Sequence, residues 1–142
     1  EIFAVDVSEE ALEVAKFNND YHGTNVHFIH QDMLKDFDYG QTFDLIISNP
    51  PYIRELEKSD MHQNVLDHEP HLALFVSNDD PLLFYRRVSE IGLNHLKPNG
   101  KLFCEINQYL GEETKHMFLE NYSNAEIHKD ISGNDRIAEV WF

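Results

Sequence analysis

Short apolar runs alternate with amphipathic segments along the 142 residues of this chain. The apolar runs predict strands at Ile2–Asp6, Val26–His30, Phe43–Ser48 and residues 101–106, 125–129 and 137–142. Helical spacing predicts a helix between an N-cap at Ser8 and a C-cap at Gly23. It also predicts a helix over residues 82–96 with Pro81 at the N1 position, and a helix over residues 112–121. Residues 53–80 lack a clean period, which predicts a long loop with at most a short helix, and Pro98-Asn99-Gly100 predicts a turn.

This alternation of strands and helices predicts an α/β domain with a mostly parallel sheet. Ligands of such sheets bind beyond the carboxyl ends of the strands. Polar or unusual residues lie at the carboxyl ends of four predicted strands, at Asp6, Asp32, Glu105 and residues 49–52. The coincidence of these residues with strand ends is the main indication of a functional site.

The tetrapeptide Asn49-Pro50-Pro51-Tyr52 is the strongest of these signals. Two consecutive prolines fix φ and remove two backbone donors, so the neighbouring carbonyls are available to a ligand. The Asn49 side chain adds a second acceptor, and two acceptors can bind both hydrogens of a planar NH2 group. Tyr52 offers a flat stacking surface, so the motif suits group transfer to an amino or amide nitrogen by positioning. A rigid Pro-Pro turn capped by asparagine is the alternative.

Asp6 and Asp32 each have a functional and a structural interpretation. An acid at a strand end before a helix commonly binds ribose hydroxyls, although Asp6 could instead cap that helix. Asp32 could accept a hydrogen bond from an adenine amino group, or it could be a solvated loop acid.

The composition limits the classes of function. The chain carries 11 Lys and Arg against 26 Asp and Glu, a net charge of −15 that disfavours nucleic acid and anionic membranes as partners. The lone Cys104 cannot form an internal disulfide, which indicates a reducing compartment. No apolar run reaches the length of a membrane span and no signal peptide is visible, so we expect a cytoplasmic protein.

Several other polar or aromatic groups have structural explanations. His62, His68 and His71 match no compact zinc spacing, so no metal site is predicted. Cys104 is expected in the core. We interpret Phe84, Tyr85 and Val88 as one apolar helix face, and the acidic Glu55, Glu57 and Asp60 as a solvated loop that could meet a basic partner.

Longer segments of the sequence carry a family resemblance. They are AVDVSEEALEVAKFN, HQDML, FDLIISNPPYI, HEPHLALF, DPLLFYRRV and GNDRIAEVWF. Together they resemble the catalytic domain of the release-factor glutamine methyltransferases, the HemK/PrmC family. The NPPY motif alone is shared with methyltransferases acting on DNA and RNA bases, whereas the E-P-x-x-A-L stretch and the G-x-D-R ending narrow the choice. The resemblance implies a Rossmann-like fold, S-adenosylmethionine as cofactor, and a peptide-chain release factor as protein substrate, methylated on the glutamine of its GGQ loop.

The resemblance also implies residue roles. The cofactor would contact Asp6 at its ribose and Asp32 and Met33 at its adenine, with Asn49 close by. The substrate amide would be held by Asn49 and the Pro50 carbonyl, with Pro51 and Tyr52 packing around it. Glu69 would help shape the pocket, and no catalytic base is assigned.

The sequence departs from the family pattern in two places. The first strand with its glycine-rich loop, and the N-terminal helical domain, are not found in the chain, so residues 1–142 are predicted to be part of a catalytic domain. We expect such a chain to bind S-adenosylmethionine weakly or not at all, and either to pair the strands ending at Asp6 and Ser48 directly or to associate through their exposed edges. Asn107 stands where the family pattern suggests a glycine.

Two further functions stay open at this point. The first is methylation of a nucleic-acid base amine, which the net charge of −15 disfavours. The second is a binding module that holds a partner but no cofactor.

Overall fold

The structure, a computed structural model, describes residues 1–60, 64 and 70–142. These residues form two compact units, residues 1–38 and residues 39–142, each with its own strands. We call them the first unit and the second unit.

The first unit is a β-α-β element. It consists of β1 (Ile2–Asp6), α1 (Glu9–His22) and β2 (Val26–His30). The strands are parallel, with Ile2 opposite Val26 and Asp6 opposite His30. The predicted caps of α1 are confirmed, because the Ser8 hydroxyl accepts a hydrogen bond from the Ala11 N–H at 3.2 Å and Gly23 ends the helix at φ +63°.

The second unit contains six strands among its described residues. They are β3 (Phe43–Ser48), β4 (Ile53–Arg54), β5 (Phe75–Val76), β6 (Leu96–Glu105), β7 (Asn124–Lys129) and β8 (Asp135–Trp141). Four of them form a sheet in the order β3-β6-β8-β7, and β4 pairs with β5 in a small parallel sheet. The helices are α2 (His71–Leu74), α3 (Leu83–His95) and α4 (Gly111–Leu119), and a 3-10 helix spans Glu55–Asp60.

The expected α/β class is confirmed, but the larger sheet is mixed rather than mostly parallel. β3 and β6 run parallel, whereas β8 is antiparallel to both β6 and β7. A short turn around Gly133, at φ +85°, connects β7 to β8. Only antiparallel strands can be joined by so tight a turn, which accounts for the antiparallel pairing of β7 with β8.

Two local predictions need correction. Pro81 lies before α3 rather than in its first turn, since the helix begins at Leu83. The predicted Pro98-Asn99-Gly100 turn lies within β6 instead of between two elements. Here the pairing with β3 is irregular, because Phe43 pairs with Leu96 and the next partners are Leu45 and Lys101. The turn residues therefore bulge out of the strand without ending it.

The core of the second unit lies between its sheet and helices α3 and α4. Its fully buried side chains include Tyr85, Val88, Leu102, Phe118 and Val140. Cys104 is also fully buried, as predicted, and burial raises the pKa of its thiol. This packing holds the carboxyl end of β6 in a fixed place.

The strands β1 and β3 belong to different sheets. Direct pairing between them, one of the two expected outcomes, stays a prediction. Both strands expose apolar side chains, with Ile2 63% exposed on β1 and Ile47 73% exposed on β3. Association through these edges stays a prediction.

In the described ranges, no helix combines the length and the hydrophobicity needed to cross a membrane.

Candidate functional site

The motif of residues 49–52 directly follows β3, beside the carboxyl end of β6. Ser48 is opposite Cys104 in the parallel ladder, so Glu105, the last residue of β6, lies next to the start of the motif. Strand ends that meet in this way form the usual ligand edge of an α/β sheet. The sequence-based expectation of a site here is therefore consistent with the topology.

Tyr52 is anchored to that edge through its hydroxyl. The Tyr52 hydroxyl donates a hydrogen bond to Glu105 Oε1 at 2.6 Å. Burial of the phenol, with the adjacent Glu105 carboxylate, raises the pKa of Tyr52 to about 12. Tyr52 therefore stays protonated at neutral pH and acts as a fixed donor and packing surface.

Asn107, two residues beyond β6, makes the most connections in this region. Its side-chain amide donates to the Tyr52 carbonyl at 2.9 Å and to the Glu57 carboxylate at 3.0 and 3.1 Å. Its side-chain oxygen accepts from the Tyr109 N–H at 2.9 Å, and its own N–H donates to the Tyr85 hydroxyl at 2.9 Å. With 2% of its surface exposed, Asn107 is a buried junction.

Glu57 corrects one interpretation from the sequence. It is not a solvated member of an acidic run, because its side chain is only 15% exposed and forms an ion pair with Arg54 as well as the hydrogen bonds from Asn107. The Arg54 guanidinium also lies 5.9 Å from the centre of the Tyr109 ring, within cation–π range. The 3-10 helix is thus tied to the loop after β6.

A cleft of about 270 Å³ opens beside this network. Its lining consists of Tyr52, Ile53, Glu57, Asn107, Gln108, Tyr109 and Arg136. Arg136, on β8, is held by hydrogen bonds of 3.2 and 3.3 Å to Asp130. The cleft therefore combines aromatic surface with both signs of charge.

Asn49 and Pro50 differ in exposure. Asn49 is exposed and Pro50 is buried. The exposed amide of Asn49 is free to face an incoming group, while the buried proline ring keeps the backbone rigid.

The first unit carries the predicted cofactor acids at one edge of its sheet. Asp6 ends β1, and its backbone carbonyl accepts from the Gln31 N–H at 3.0 Å, just before Asp32. Asp6 Oδ1 also accepts from the Ser8 N–H at 2.7 Å, while the helix cap itself is Ser8. The two acids thus share the carboxyl edge of this two-stranded sheet.

Asp32 is partly engaged by its own loop. Asp32 Oδ1 accepts from the Leu34 N–H at 3.0 Å, and Oδ2 lies 3.6 Å from the Lys35 ammonium. Met33 beside it is half-buried. Glu69, His62 and His68 lie outside the described residues, so the predicted contribution of Glu69 stays a prediction.

Sequence reasoning missed three residues of the network. Glu57 looked like one of several loop acids, Arg136 was quoted only as part of the closing motif, and Asn107 was noted only as a departure from the family pattern. The position of Asn107 just after the predicted strand 101–106 was the one available signal, because polar residues at strand ends mark ligand edges.

A family model described as a methyltransferase domain matches residues 1–136. The chain belongs to this methyltransferase family, and the resemblance inferred from its motifs is confirmed by the relatives it matches. It is 49% identical over 142 residues to the release factor glutamine methyltransferase of Flavobacterium psychrophilum and 48% identical over 136 residues to that of Bacteroides thetaiotaomicron. These alignments cover 99% and 94% of this chain but 50% and 49% of the relatives, so the chain spans about half of their length.

Solved structures agree on the Rossmann-like methyltransferase fold. A methyltransferase from Pyrococcus furiosus superposes with a TM-score of 0.68 at 22% identity, covering 100% of this chain and 62% of that one. A Thermus thermophilus 16S rRNA N2 G1207 methyltransferase, in complex with AdoMet and guanosine, superposes with a TM-score of 0.65 at 14% identity, covering 100% of this chain and 32% of that one. The predicted fold class is thereby confirmed.

Proposed function

We propose that the protein containing this chain transfers a methyl group to the side-chain amide nitrogen of a glutamine in a peptide-chain release factor. The observation that carries this proposal is the exposed Asn49, followed by the rigid Pro50-Pro51 pair and by Tyr52 bound to Glu105. The names of the relatives with 48–49% identity support the choice of substrate.

Asn49 and the Pro50 carbonyl bind the substrate amide. A primary amide presents two N–H hydrogens in one plane, and two oxygen acceptors can take one each. An amide nitrogen is a weak nucleophile, and hydrogen bonds that draw on both N–H groups raise its electron density. Because the acceptors are preorganised, their contribution grows as positive charge develops on that nitrogen.

Tyr52 packs against the bound glutamine side chain. Its ring cannot turn freely while the hydroxyl donates to Glu105 at 2.6 Å. A fixed aromatic surface restricts the amide to the orientation in which its nitrogen faces the methyl donor. Pro51 and Glu69 complete the substrate pocket in this proposal.

S-adenosylmethionine is the proposed cofactor, and it would supply a methyl group bound to an electrophilic sulfonium. The sulfonium would be left as a neutral thioether, and the methylated nitrogen would lose one N–H proton to solvent. The residues of the first unit fit it, because Asp6 and Asp32 place carboxylate acceptors at one sheet edge, suited to two ribose hydroxyls and an adenine amino group. Met33 adds a half-buried apolar contact beside Asp32. Asn49 is the remaining residue that we propose as a cofactor contact.

The remaining features of the proposal concern the partner. A chain with net charge −15 favours a basic protein surface over nucleic acid. The substrate glutamine is proposed to lie in the flexible GGQ loop of the release factor. The cytoplasmic localisation predicted from the sequence stays a prediction.

Transfer of labelled methyl groups tests this function. The full-length protein is incubated with labelled S-adenosylmethionine and either a release factor, the same factor with its GGQ glutamine replaced by glutamate, or ribosomal RNA. We expect label only in the unaltered release factor. Label in RNA, or equal label in both release factors, would contradict the proposal.

A further inference from the structure

The backbone of residues 49–52 needs anchors from outside the segment. Pro50 and Pro51 lack N–H groups, so neither can donate a hydrogen bond to hold the segment against the sheet. Tyr52 provides two anchors instead, its hydroxyl to Glu105 and its carbonyl to Asn107. Only the second of these anchors acts directly on the backbone.

The groups around Asn107 determine how its amide is oriented. The Tyr52 carbonyl and the Glu57 carboxylate can only accept hydrogen bonds, whereas the Tyr109 N–H can only donate. All three are satisfied only when the nitrogen of Asn107 faces Tyr52 and Glu57 and its oxygen faces Tyr109. Reversing the amide would oppose oxygen to oxygen and leave a buried donor unpaired, so the observed orientation is strongly favoured.

Glu57 is itself held in place. Its carboxylate forms an ion pair with Arg54, and its side chain is 15% exposed. The carboxylate therefore presents a fixed acceptor to Asn107, and the chain of contacts runs from Arg54 through Glu57 and Asn107 to the Tyr52 carbonyl.

We propose that Asn107 is a positioning residue for methyl transfer. Its amide, oriented by Glu57, holds the Tyr52 carbonyl and so sets where the Asn49 and Pro50 acceptors lie. Asn107 does not touch the reacting atoms in this proposal. The inference rests on the proposed function and extends it to a residue outside the 49–52 motif.

Variants at position 107 can therefore distinguish an effect on folding stability from an effect on catalysis. In Asn107→Asp, the donor to Tyr52 is lost and a second carboxylate faces Glu57. In the double variant Asn107→Asp with Glu57→Gln, the new glutamine amide can donate to the new aspartate, so the buried pair is satisfied again. The Tyr52 carbonyl still lacks its donor, because an ionised carboxylate only accepts.

The kinetic test compares these two variants in the full-length protein. We expect Asn107→Asp to lower both the melting temperature and kcat/KM, the latter tenfold or more and mainly through kcat, since the acceptors are displaced from the reacting nitrogen. The double variant is expected to recover part of the lost melting temperature, because the Tyr52 carbonyl and Arg54 still lack their partners, and to keep the low kcat. Recovery of both would show that Asn107 acts through stability alone, and unchanged kinetics in Asn107→Asp would equally overturn the inference.

A matched control and a second readout make the result independent of the substrate. Thr114→Val alters another fully buried polar side chain, on α4, whose hydroxyl has no partner among the described residues, and it should leave kcat unchanged. With fluorotyrosine incorporated, the 19F resonance of Tyr52, assigned by its loss in Tyr52→Phe, should shift in both Asn107 variants and not in Thr114→Val. If the unaltered protein methylates no release factor, the proposed function fails, while an unmoved Tyr52 resonance would refute the positioning role by itself.

Discussion

At the scale of single residues, two asparagines at the same sheet edge have opposite environments. Asn49 is exposed and available to a ligand, whereas Asn107 is 2% exposed and uses its amide inside the protein. The same chemical group is therefore proposed to accept from the substrate in one place, and it donates within the protein in the other. Sequence reasoning could identify the first, because it lies in a motif, but not the second, whose role depends on distant Tyr52 and Glu57.

Replacing Asn49 by alanine tests its proposed role. We expect methyl transfer to fall by about 10²–10³-fold, because one of two preorganised acceptors is lost. The melting temperature should change little, since the side chain is exposed. Asn99→Ala, at an exposed asparagine in the irregular part of β6, is the control and should retain activity. Near-normal turnover of Asn49→Ala would exclude the role.

Glu139 on β8 gives a prediction for the pH dependence of stability. Hydrogen bonds from Lys101 and His128 lower the pKa of this carboxyl group, although its burial acts in the opposite direction. A lowered folded-state pKa contributes stability above the ordinary glutamate pKa of about 4.3, and this contribution is lost as the pH falls through the lower, folded-state value. As the pH is lowered from about 7 to about 3, the melting temperature of Glu139→Gln should therefore fall less steeply than that of the unaltered protein.

The control for this measurement is Glu13→Gln, at an exposed position within α1. The fall in its melting temperature toward low pH should match that of the unaltered protein. If the melting temperature of Glu139→Gln falls toward low pH as steeply as that of the unaltered protein, the proposed contribution of Glu139 to the pH dependence of stability is refuted.

At the scale of secondary structure, apolar runs were better guides than turn residues. Three strands, Ile2–Asp6, Val26–His30 and Phe43–Ser48, have the predicted bounds, because each is a short apolar run between polar residues. The Pro98-Asn99-Gly100 segment was wrongly predicted to separate elements, because pairing of Leu96 with Phe43 extends the strand beyond it. Tertiary pairing of this kind is invisible to a local pattern.

Gly92 on α3 tests how closely that helix packs on the sheet. A methyl group at this position would lie 2.8 Å from Leu102 Cδ1 and would collide with the Tyr122 hydroxyl, which donates to the Ser89 carbonyl at 2.8 Å. We expect Gly92→Ala to destabilise the protein by about 1–3 kcal/mol through overpacking, despite the better helix propensity of alanine. Chemical denaturation measures this change.

Asn94→Ala, at an exposed position on the same helix, should change stability by no more than about 0.5 kcal/mol. A Gly92→Ala variant as stable as the unaltered protein would mean that α3 does not pack this tightly.

At the scale of the whole molecule, the chain is one part of a methyltransferase architecture. It matches a methyltransferase-domain model over residues 1–136 and spans about half the length of its relatives. Its two units each present chemical groups at a carboxyl sheet edge, Asp6 and Asp32 in the first and residues 49–52 in the second. In the proposed reaction, Asp6 and Asp32 contact the methyl donor and residues 49–52 bind the acceptor.

The most direct test of the central claim is to locate the methyl group on a release factor by mass spectrometry. The full-length protein, or its Asn49→Ala variant, is incubated with S-adenosylmethionine and a purified release factor, and the digested factor is sequenced by fragmentation. The account predicts one added methyl group on the side-chain amide of the GGQ glutamine, and almost none with the variant. A methyl group on any other residue, or equal methylation by Asn49→Ala, would contradict it.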